Sequence, residues 1–570
     1  MATSTATDIE LATTSATDRD VELQDGEGGQ GGQGVSSAAQ ASSGGAERSP
    51  KLRQQSQLSQ LSQQSQQSQQ SQQSQQSQQS QQSQLRQLLG LALPIMLSCM
   101  LSFLMPVVDL LFVGHLGTHE LAAAALGDTV FKTVALPLQG FASALDTFLS
   151  QSYGAGRFDA YGRWAHVGTL VMLGLSVPCM LFLGLSEQLL VAIGQEATLA
   201  ASAGGFCWRL VPGMPPFVAF LTLTKYLQAQ NILAPSVAIA LVANLLNAAF
   251  NWLLIFKLNL GFEGAPLATT ASRWVQLLLL LGYLAAARGR LVKTLPSLVR
   301  VERFSSACSY RACAAGWTAH AAPLFKLGVP GALMLALEAW AFDFSTLLAG
   351  YLGQTSLDAH VVLLTVISFT FVSFPLAVGI AASIRVGQTL GAADANAARA
   401  TARWTVALCG GFMTALAIVK LCVRRYLGRL FTDDEAVIAL VAELVFIAAL
   451  FQISDGMQAA CAGVMRGMGR QRLVAGLNLV GFWVIGLPLG ALLTFGPTHI
   501  GVAGLWWGLA AGLTVVAAFG VAVLLRTDWD AETRRTAARL GAPEASKAKG
   551  GVPVEPAAPD DNVRVAHLVE

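Results

Sequence analysis

Charged residues are scarce in this sequence. Asp, Glu, Lys and Arg make up 12% of its 570 residues, whereas 53% are hydrophobic; soluble proteins average about 25% charged residues. The few charges interrupt apolar runs, each long enough to cross about 30 Å of hydrocarbon as a helix. This pattern excludes a soluble globular protein and predicts a membrane protein with many spans.

Several chemical motifs are absent as well. The sequence contains no G-x-x-x-x-G-K-[ST] phosphate-binding loop, no H-E-x-x-H metal motif and no polar segment large enough for a nucleotide-binding domain. Its eight cysteines form no C-x-x-C pair. We therefore expect no enzymatic activity, no cofactor, no metal site and no disulfide framework. Any transport would have to be driven by an ion gradient.

Two polar ends flank the apolar region. Residues 1–84 lack an apolar span and become a Ser-Gln-Gln repeat from Gln54 onward, and such a composition cannot bury a core. The acidic residues near the start argue against a transit peptide, because transit peptides contain few acidic residues. The sequence predicts a disordered cytoplasmic tail (1–84), an N-terminal six-helix bundle (85–290), a basic cytoplasmic linker (291–328), a C-terminal six-helix bundle (329–525) and a second disordered cytoplasmic tail (526–570).

Hydropathy divides the apolar region into about twelve spans and predicts an all-α integral membrane protein. The predicted spans are 88–114, 121–149, 164–186, 198–224, 232–256, 264–287, 329–352, 359–386, 402–423, 436–464, 473–495 and 501–525.

Lys and Arg are distributed unevenly among the loops. The connection after span six holds seven of them, and the loops after spans two, four, eight and ten are also basic and include Lys225 and Arg466. The loops after spans one, three, seven and eleven hold none, and only the loop after span nine breaks the alternation. Because basic loops stay on the cytoplasmic side, we expect both termini in the cytoplasm, with the protein in the plasma membrane or the vacuolar membrane.

The chain also repeats itself. Pro94 and Gly117 near the ends of span one correspond to Pro330 and Gly353 on span seven, at an offset of 236 residues. Since each half has an even number of spans, both halves enter the membrane from the same side. This is a parallel repeat, which favours two six-helix bundles around a central cleft that opens alternately to either side.

Three carboxylates lie inside apolar spans without a cation within one helical turn: Glu338 and Asp343 on span seven, and Asp455 on span ten. An ionisable group at the bilayer centre costs about 2.5–3.5 kcal/mol on insertion scales, so each is a candidate functional residue. Burial and mutual repulsion favour the protonated form, and such a cluster binds a proton or a cation but seldom both. This competition predicts exchange; the alternative is a structural acid cluster held by hydrogen bonds.

The N-terminal half has its own acidic candidates. Asp109 lies on span one, three residues after Pro106, and Asp146 lies on span two. A proline removes a helix hydrogen bond and favours a bend. Pro94 and Pro106 are therefore candidate hinges, and Asp109 could take up and release protons beside a deformable segment.

Other polar residues within the spans could have a purely structural role. Asn244, Asn247 and Asn251 form a stripe on one face of span five, for which hydrogen bonding between helices and contact with substrate are both open. Asp128 and Lys132 are four residues apart on span two, where they could neutralise each other.

Five motifs in this order resemble the eukaryotic branch of the multidrug and toxic compound extrusion (MATE) family. They are the Leu-Pro near the start of span one, FVGHLGTHELAAAAL (112–126), GFASALDTFLSQSYGAGR (140–157), LEAWAFD (337–343) and DGMQAACAGVMRGMGRQ (455–471). The resemblance covers residues 88–525 and implies a secondary antiporter that exchanges protons, or in some bacterial relatives sodium, for organic cations and other solutes.

The resemblance also assigns roles to residues. It implies that Glu338, Asp343 and Asp455 serve coupling and cation recognition. Bacterial members that resemble this frame place the coupling carboxylate on span one, fifteen residues after the proline, and Asp109 stands fifteen residues after Pro94. Eukaryotic relatives usually have an uncharged residue there, so both halves are candidates for the ion site.

The span-seven motif departs from the family in one further position. The family commonly has two consecutive tryptophans, whereas this chain has Ala339 followed by Trp340. Trp340 could still form an aromatic wall for a cation, but the substrate preference of relatives does not carry over.

Together these observations predict a secondary active antiporter that exports organic cations, xenobiotics or metabolites in exchange for protons by alternating access. Alternatives with the same fold are a sodium-coupled exporter and an organic-acid exporter. Alternatives of another class are a flippase for lipid precursors, which would need a cationic cleft, and a membrane scaffold that acts through its tails. We expect a monomer in the lipid bilayer whose ligands are a small amphipathic solute and H⁺ or Na⁺, with no nucleic acid.

Overall fold

The computed structural model describes residues 50–541 apart from 288, 290, 292–293, 295–309 and 498. The chain divides into two compact units, 1–72 and 73–570. Of the first unit, the structure describes only part of the helix Pro50–Val113. All contacts reported below belong to the second unit.

The described residues fold as helices and contain no strand, as predicted. In the part of the chain that the structure describes, twelve helical segments are long and apolar enough to span a membrane, which confirms the predicted number. They are α1 (Gln81–Val113), α2 (Thr118–Gly154), α3 (Phe158–Gly184), α4 (Ala197–Gln228), α5 (Ala234–Lys257), α6 (Gly261–Ala286), α7 (Ala321–Gly350), α8 (Gln354–Gly391), α9 (Ala395–Leu430), α10 (Glu435–Met468), α11 (Gln471–Phe495) and α12 (Val502–Leu525).

Local sequence explains several helix boundaries. Helix α10 begins after Asp434, whose carboxylate accepts a hydrogen bond from the backbone N–H of Ala436 at 2.8 Å, and such a cap satisfies a donor that the first helical turn leaves free. The same helix ends at Gly469, which adopts the left-handed conformation with φ 75°. Helix α8 is interrupted at Phe374 because Pro375, at the start of its second segment, has no N–H to continue the first.

The internal repeat is visible in the turns. Gly117 between α1 and α2 and Gly353 between α7 and α8 both have positive φ, 156° and 98°. A side chain is disfavoured in such a conformation, so glycine recurs at the same point of each half. We call α1–α6 the N-half and α7–α12 the C-half. The end of the bundle that carries these two turns is the outer end, and the opposite end is the inner end.

The two halves meet at the inner end. Along α2 every residue from Gly140 to Ser152 is buried, whereas before Gly140 the buried residues recur about every fourth position and mark a single face. The backbones of Gly140 and Gly331 lie so close that a methyl group on either would collide with the other. Helix α7 likewise buries one face at its outer end, through Ala341, Ser345 and Ala349. This burial is expected when a cleft between the halves closes at the inner end and widens toward the outer end.

The described parts of the two tails are helical, and the predicted domain bounds with disordered tails stay a prediction. The first helix extends back to Pro50, through a Ser/Gln tract that lacks proline and glycine between residues 51 and 89, and glutamine is a good helix former. A further helix, α13 (Trp529–Arg539), follows α12. It starts at Asp528, whose carboxylate accepts from the Ala531 N–H at 3.0 Å. Residues 1–49 and 542–570 lie outside the described part of the chain.

Candidate transport site

A polar cluster in the C-half surrounds the carboxylate of Glu338 on α7. The side-chain amide of Gln458 on α10 donates to Glu338 Oε2 at 3.2 Å, and that of Asn478 on α11 donates to the same atom at 3.3 Å. Gln458 also donates to Asn478 Oδ1 at 3.4 Å. Three helices thus converge on one carboxylate through neutral donors.

Asp455 adds a second carboxylate to this cluster. It lies three residues before Gln458 on α10, is only 3% exposed, and interacts electrostatically with Glu338. Within the described part of the chain, neither Glu338 nor Asp455 forms an ion pair. We call Glu338, Asp455, Gln458 and Asn478 the C-half site.

A lysine that sequence analysis did not single out lies near this site. Lys420 on α9 donates to Gln452 Oε1 at 2.5 Å and to Thr370 Oγ1 at 2.8 Å. Gln452 precedes Asp455 by three residues on α10, and Lys420 interacts electrostatically with Asp455. The sequence signal was a lone lysine inside an apolar span, but its partners are on other helices and could not be read from spacing.

The N-half holds a different cluster around Asp109 on α1. Asn247 and Asn251 of α5 donate to Asp109 Oδ1 at 3.1 and 2.7 Å, and the Thr269 hydroxyl of α6 donates to Oδ2. All four side chains are buried. We call them the N-half site. Asn247 was a predicted site residue, Asn251 belonged to the predicted stripe, and Thr269 was missed because a single threonine carries no signal.

The stripe on α5 serves two purposes. Asn244 donates to the Leu101 carbonyl at 3.0 Å and to the Ala240 carbonyl at 2.8 Å, so it joins α5 to α1. Asn247 and Asn251 instead contact the carboxylate of Asp109. All three asparagines therefore hydrogen-bond to α1, which is the first interpretation of the stripe, and contact with substrate stays a prediction.

The helix geometry changes next to both sites. The chain becomes π-helical over Trp252–Lys257, directly after Asn251, and over Leu479–Gly486, directly after Asn478. Single π-helical turns within α-helices often accompany functional sites. In each half, the asparagine that holds the carboxylate is the last residue before this change.

Asp146, another predicted site residue, lies at the inner end in a buried ion pair. The Lys225 ammonium on α4 approaches its two carboxylate oxygens at 2.7 and 2.8 Å. Nearby, the Thr147 hydroxyl donates to the Arg466 carbonyl at 2.6 Å and joins α2 to α10. Lys225 and Arg466, assigned to loops by sequence analysis, lie within α4 and α10. The structure thus separates Asp146 from both carboxylate clusters.

Asp343 and Trp340 lie on another side of α7 from Glu338. Both are exposed, Trp340 at 38%, and they are about 60° apart around the helix, whereas Glu338 is about 140° from Asp343. Asp343 interacts electrostatically with Lys132 on α2, which forms an ion pair with Asp128 at 2.6 Å. The three acids of spans seven and ten therefore form one pair in the C-half and one separate surface residue. The candidate hinges Pro94 and Pro106 both lie inside α1.

Comparison with known proteins identifies the family of the chain. The MatE family model matches residues 94–253 and 330–492, one match in each half. The chain is 32% identical over 456 residues to multidrug and toxin extrusion protein 2 of Mus musculus, a match that covers 80% of this chain and 76% of the relative. It is 31% identical over 462 residues to protein DETOXIFICATION 17 of Arabidopsis thaliana, covering 80% and 92%.

The fold is also similar to that of a solved relative. The crystal structure of the eukaryotic MATE transporter AtDTX14 superimposes with a TM-score of 0.73 at 27% identity, covering 81% of this chain and 100% of that chain. The family model matches parts of both halves, and the sequence and fold matches each cover about four-fifths of the chain. The chain therefore belongs to the MATE family of multidrug and toxin extrusion transporters and is a multi-pass integral membrane protein.

Proposed function

We propose that this transporter exports organic cations in exchange for protons, and that Glu338 and Asp455 carry the exchange. The observation that supports this most directly is the set of neutral donors around Glu338. Gln458 and Asn478 orient its carboxylate without neutralising it. A partly buried carboxylate held in this way keeps its negative charge available for a proton or a cationic solute.

Asp455 makes proton binding and solute binding mutually exclusive. Two interacting carboxylates in a buried site disfavour the doubly ionised state. Either a bound proton or the positive charge of a bound solute relieves this repulsion. Once a proton is bound, the site attracts the cationic solute less, and once the solute is bound, the site attracts a proton less. Lys420, through its interaction with Asp455, offsets part of the negative charge and leaves Glu338 as the primary site of exchange.

Transport then follows from alternate opening of the cleft. With the inner end open, the ionised site takes a cation from the cytoplasm, and with the outer end open, a proton from the more acidic side displaces it. Trp340 and Asp343, on the exposed side of α7, would contact the solute on its way out, the tryptophan through its ring face. Opening the inner end requires the Gly140 and Gly331 backbones to separate.

A specific observation favours sodium coupling as a second candidate. In the N-half site the buried Oδ1 atom of Asn251 has no hydrogen-bond partner in the described part of the chain, and it belongs to a residue that contacts Asp109. Hard cations take carboxylate and amide oxygens as ligands. Asp109, Asn251 and Thr269 together could supply such oxygens.

Reconstitution distinguishes the two candidates. Proteoliposomes containing the full-length protein and a fluorescent organic cation are given a pH gradient or a sodium gradient separately, with a proton ionophore as control. We expect the pH gradient to drive uptake and the ionophore to abolish it. Uptake that follows sodium alone and ignores the ionophore would overturn the proposal and direct attention to the N-half site.

A further inference from the structure

A pocket at the inner end lies outside both carboxylate sites. It has a volume of about 560 Å³ and lies between the end of α12 and helix α13. One wall is apolar and one is basic. The residues that form these walls are Phe519, Ala522 and Val523 on the apolar side and Arg470, Arg526 and Arg535 on the basic side.

The basic wall contains one arginine, Arg526, without an ion-pair partner in the described part of the chain. Arg470 contacts the buried carboxylate of Glu532 at 2.5 Å, and Arg535 contacts the same carboxylate. Asp528, also at the pocket, caps α13. The side chain of Arg526 forms no hydrogen bond or ion pair with any residue of the described chain, and it is exposed. Asp528 also forms an ion pair with Arg534, outside the pocket, at 3.9 Å. Arg526 is therefore the one arginine of the pocket without a carboxylate partner in the described part of the chain.

The apolar wall belongs to the membrane-facing surface. Phe519 is 60% exposed and Leu525, one residue before Arg526, is 77% exposed. Both lie on the last two turns of α12, a helix whose composition is that of a membrane span. A basic group directly beyond such a surface is at the depth of lipid headgroups, where arginine side chains commonly end.

We propose that this pocket binds the phosphate headgroup of an anionic phospholipid from the surrounding bilayer, with one acyl chain along Phe519. The pocket combines the two kinds of surface that a phospholipid needs, guanidinium groups for the phosphate and an apolar wall for the chain. Its inner-end location is on the side that the loop charges predict to be cytoplasmic, and the cytoplasmic leaflet carries the anionic lipids.

The bound lipid would act on the contact between the two halves. Helix α13 touches both of them, because Arg539 donates to Gln151 Oε1 of α2 at 2.9 Å and to the Met468 carbonyl of α10 at 3.2 Å. Arg157, between α2 and α3, donates to the Leu540 carbonyl just beyond α13. A headgroup between α12 and α13 is therefore expected to stabilise the arrangement in which the inner end is closed.

Lipid binding to the full-length protein tests this inference. Purified protein in detergent is titrated with phosphatidylserine, phosphatidylcholine or inorganic phosphate, and bound lipid is counted by native mass spectrometry while thermal unfolding is followed in parallel. We expect phosphatidylserine to be retained and to raise the unfolding temperature, and the other two to have little effect. Arg526→Gln should raise the half-saturating concentration of phosphatidylserine about fivefold, the usual contribution of one basic residue at a membrane surface.

A matched control is available at the same end of the protein. Arg399, near the start of α9, is exposed, lies outside the pocket and forms no ion pair in the described part of the chain, so Arg399→Gln removes the same charge and should leave phosphatidylserine binding unchanged. Because Arg526 is exposed and unpaired, Arg526→Gln is expected to fold. Equal losses in the two variants, equal retention of phosphatidylcholine, or full competition by inorganic phosphate at matched concentration would each overturn the proposal.

Discussion

The two halves of this transporter hold a carboxylate in the same way but at different depths. In the N-half, Asp109 is fifteen residues beyond Pro94, and in the C-half Glu338 is eight residues beyond Pro330. Seven residues of helix correspond to about 10 Å, so the C-half site lies about two turns closer to the inner end. The asparagine partner is displaced in the same direction, because Asn478 stands near the start of α11 whereas Asn251 stands near the end of α5.

The electrostatic surroundings of the two carboxylates differ as well. Asp109 accepts hydrogen bonds on both oxygens from neutral side chains, and its cluster contains no second acid. Glu338 receives neutral donors too, but it interacts with Asp455 and, over a longer range, with the guanidinium of Arg466. Asp109 in turn interacts over a longer range with the guanidinium of Arg273 on α6. The duplication therefore preserved a scaffold for one carboxylate, and only the C-half places a second acid beside it. We expect the two sites to respond differently to the loss of their acid.

The largest expected effect is the loss of exchange in Glu338→Gln. Glutamine has nearly the shape of glutamate but can neither bind and release a proton nor attract a cation. We expect uptake driven by a pH gradient to be abolished in proteoliposomes while the protein remains folded by circular dichroism and gel filtration. Asp109→Asn, the same change in the N-half site, is the matched comparison and should retain proton-driven uptake. Full transport by Glu338→Gln would reject the assignment.

The next largest effect concerns stability. Lys225→Met leaves the Asp146 carboxylate buried without its partner, and breaking a buried ion pair from one side costs about 3–5 kcal/mol. We expect a large drop in the unfolding temperature in detergent. Adding Asp146→Leu should recover much of this loss, because the double variant buries no unpaired charge. If the double variant were as unstable as Lys225→Met, the ion pair would not be the reason.

The sequence predicts the spans and the unpaired acids for identifiable physical reasons. An apolar run must cross the bilayer as a helix, and Glu338, Asp455 and Asp109 stand out because no cation is within a turn of them. It assigned Lys225 and Arg466 to loops because a hydropathy window ends where charges begin. Both side chains are in fact buried near Asp146, where a partner on another helix stabilises them.

The partners of the acids could not be predicted for a related reason. Gln458 is one turn from Asp455 and could have been noticed, but Asn478 contacts Glu338 across 140 residues of sequence. Spacing specifies which residues share a face of one helix, and only packing decides which helices meet. For the same reason the sequence suggested one cluster of three acids, whereas Asp343 lies apart from the other two.

A smaller effect is expected from Thr269→Val in the N-half site. The change keeps the shape of the side chain and removes one donor from Asp109, which retains Asn247 and Asn251. A single hydrogen bond between membrane helices contributes about 1–2 kcal/mol at most, so the unfolding temperature should fall modestly. Proton-driven uptake should persist. A loss of uptake as complete as in Glu338→Gln would mean that the N-half site is as necessary for coupling as the C-half site.

The smallest effect is expected from Asp343→Asn, which compares the exposed Asp343 with the partly buried Glu338 on the same helix. Asp343 is exposed and forms no hydrogen bond with the described part of the chain, and surface substitutions of this kind usually change stability by no more than about 0.5 kcal/mol. Its charge acts on the solute only along the cleft, in solvent that screens it. We therefore expect an unchanged maximal rate of proton-driven uptake and at most a weaker apparent affinity for the organic cation, measured from uptake at increasing solute concentration. An inactive Asp343→Asn protein would instead place the exchange on the exposed face of α7 and remove the distinction between the two acids.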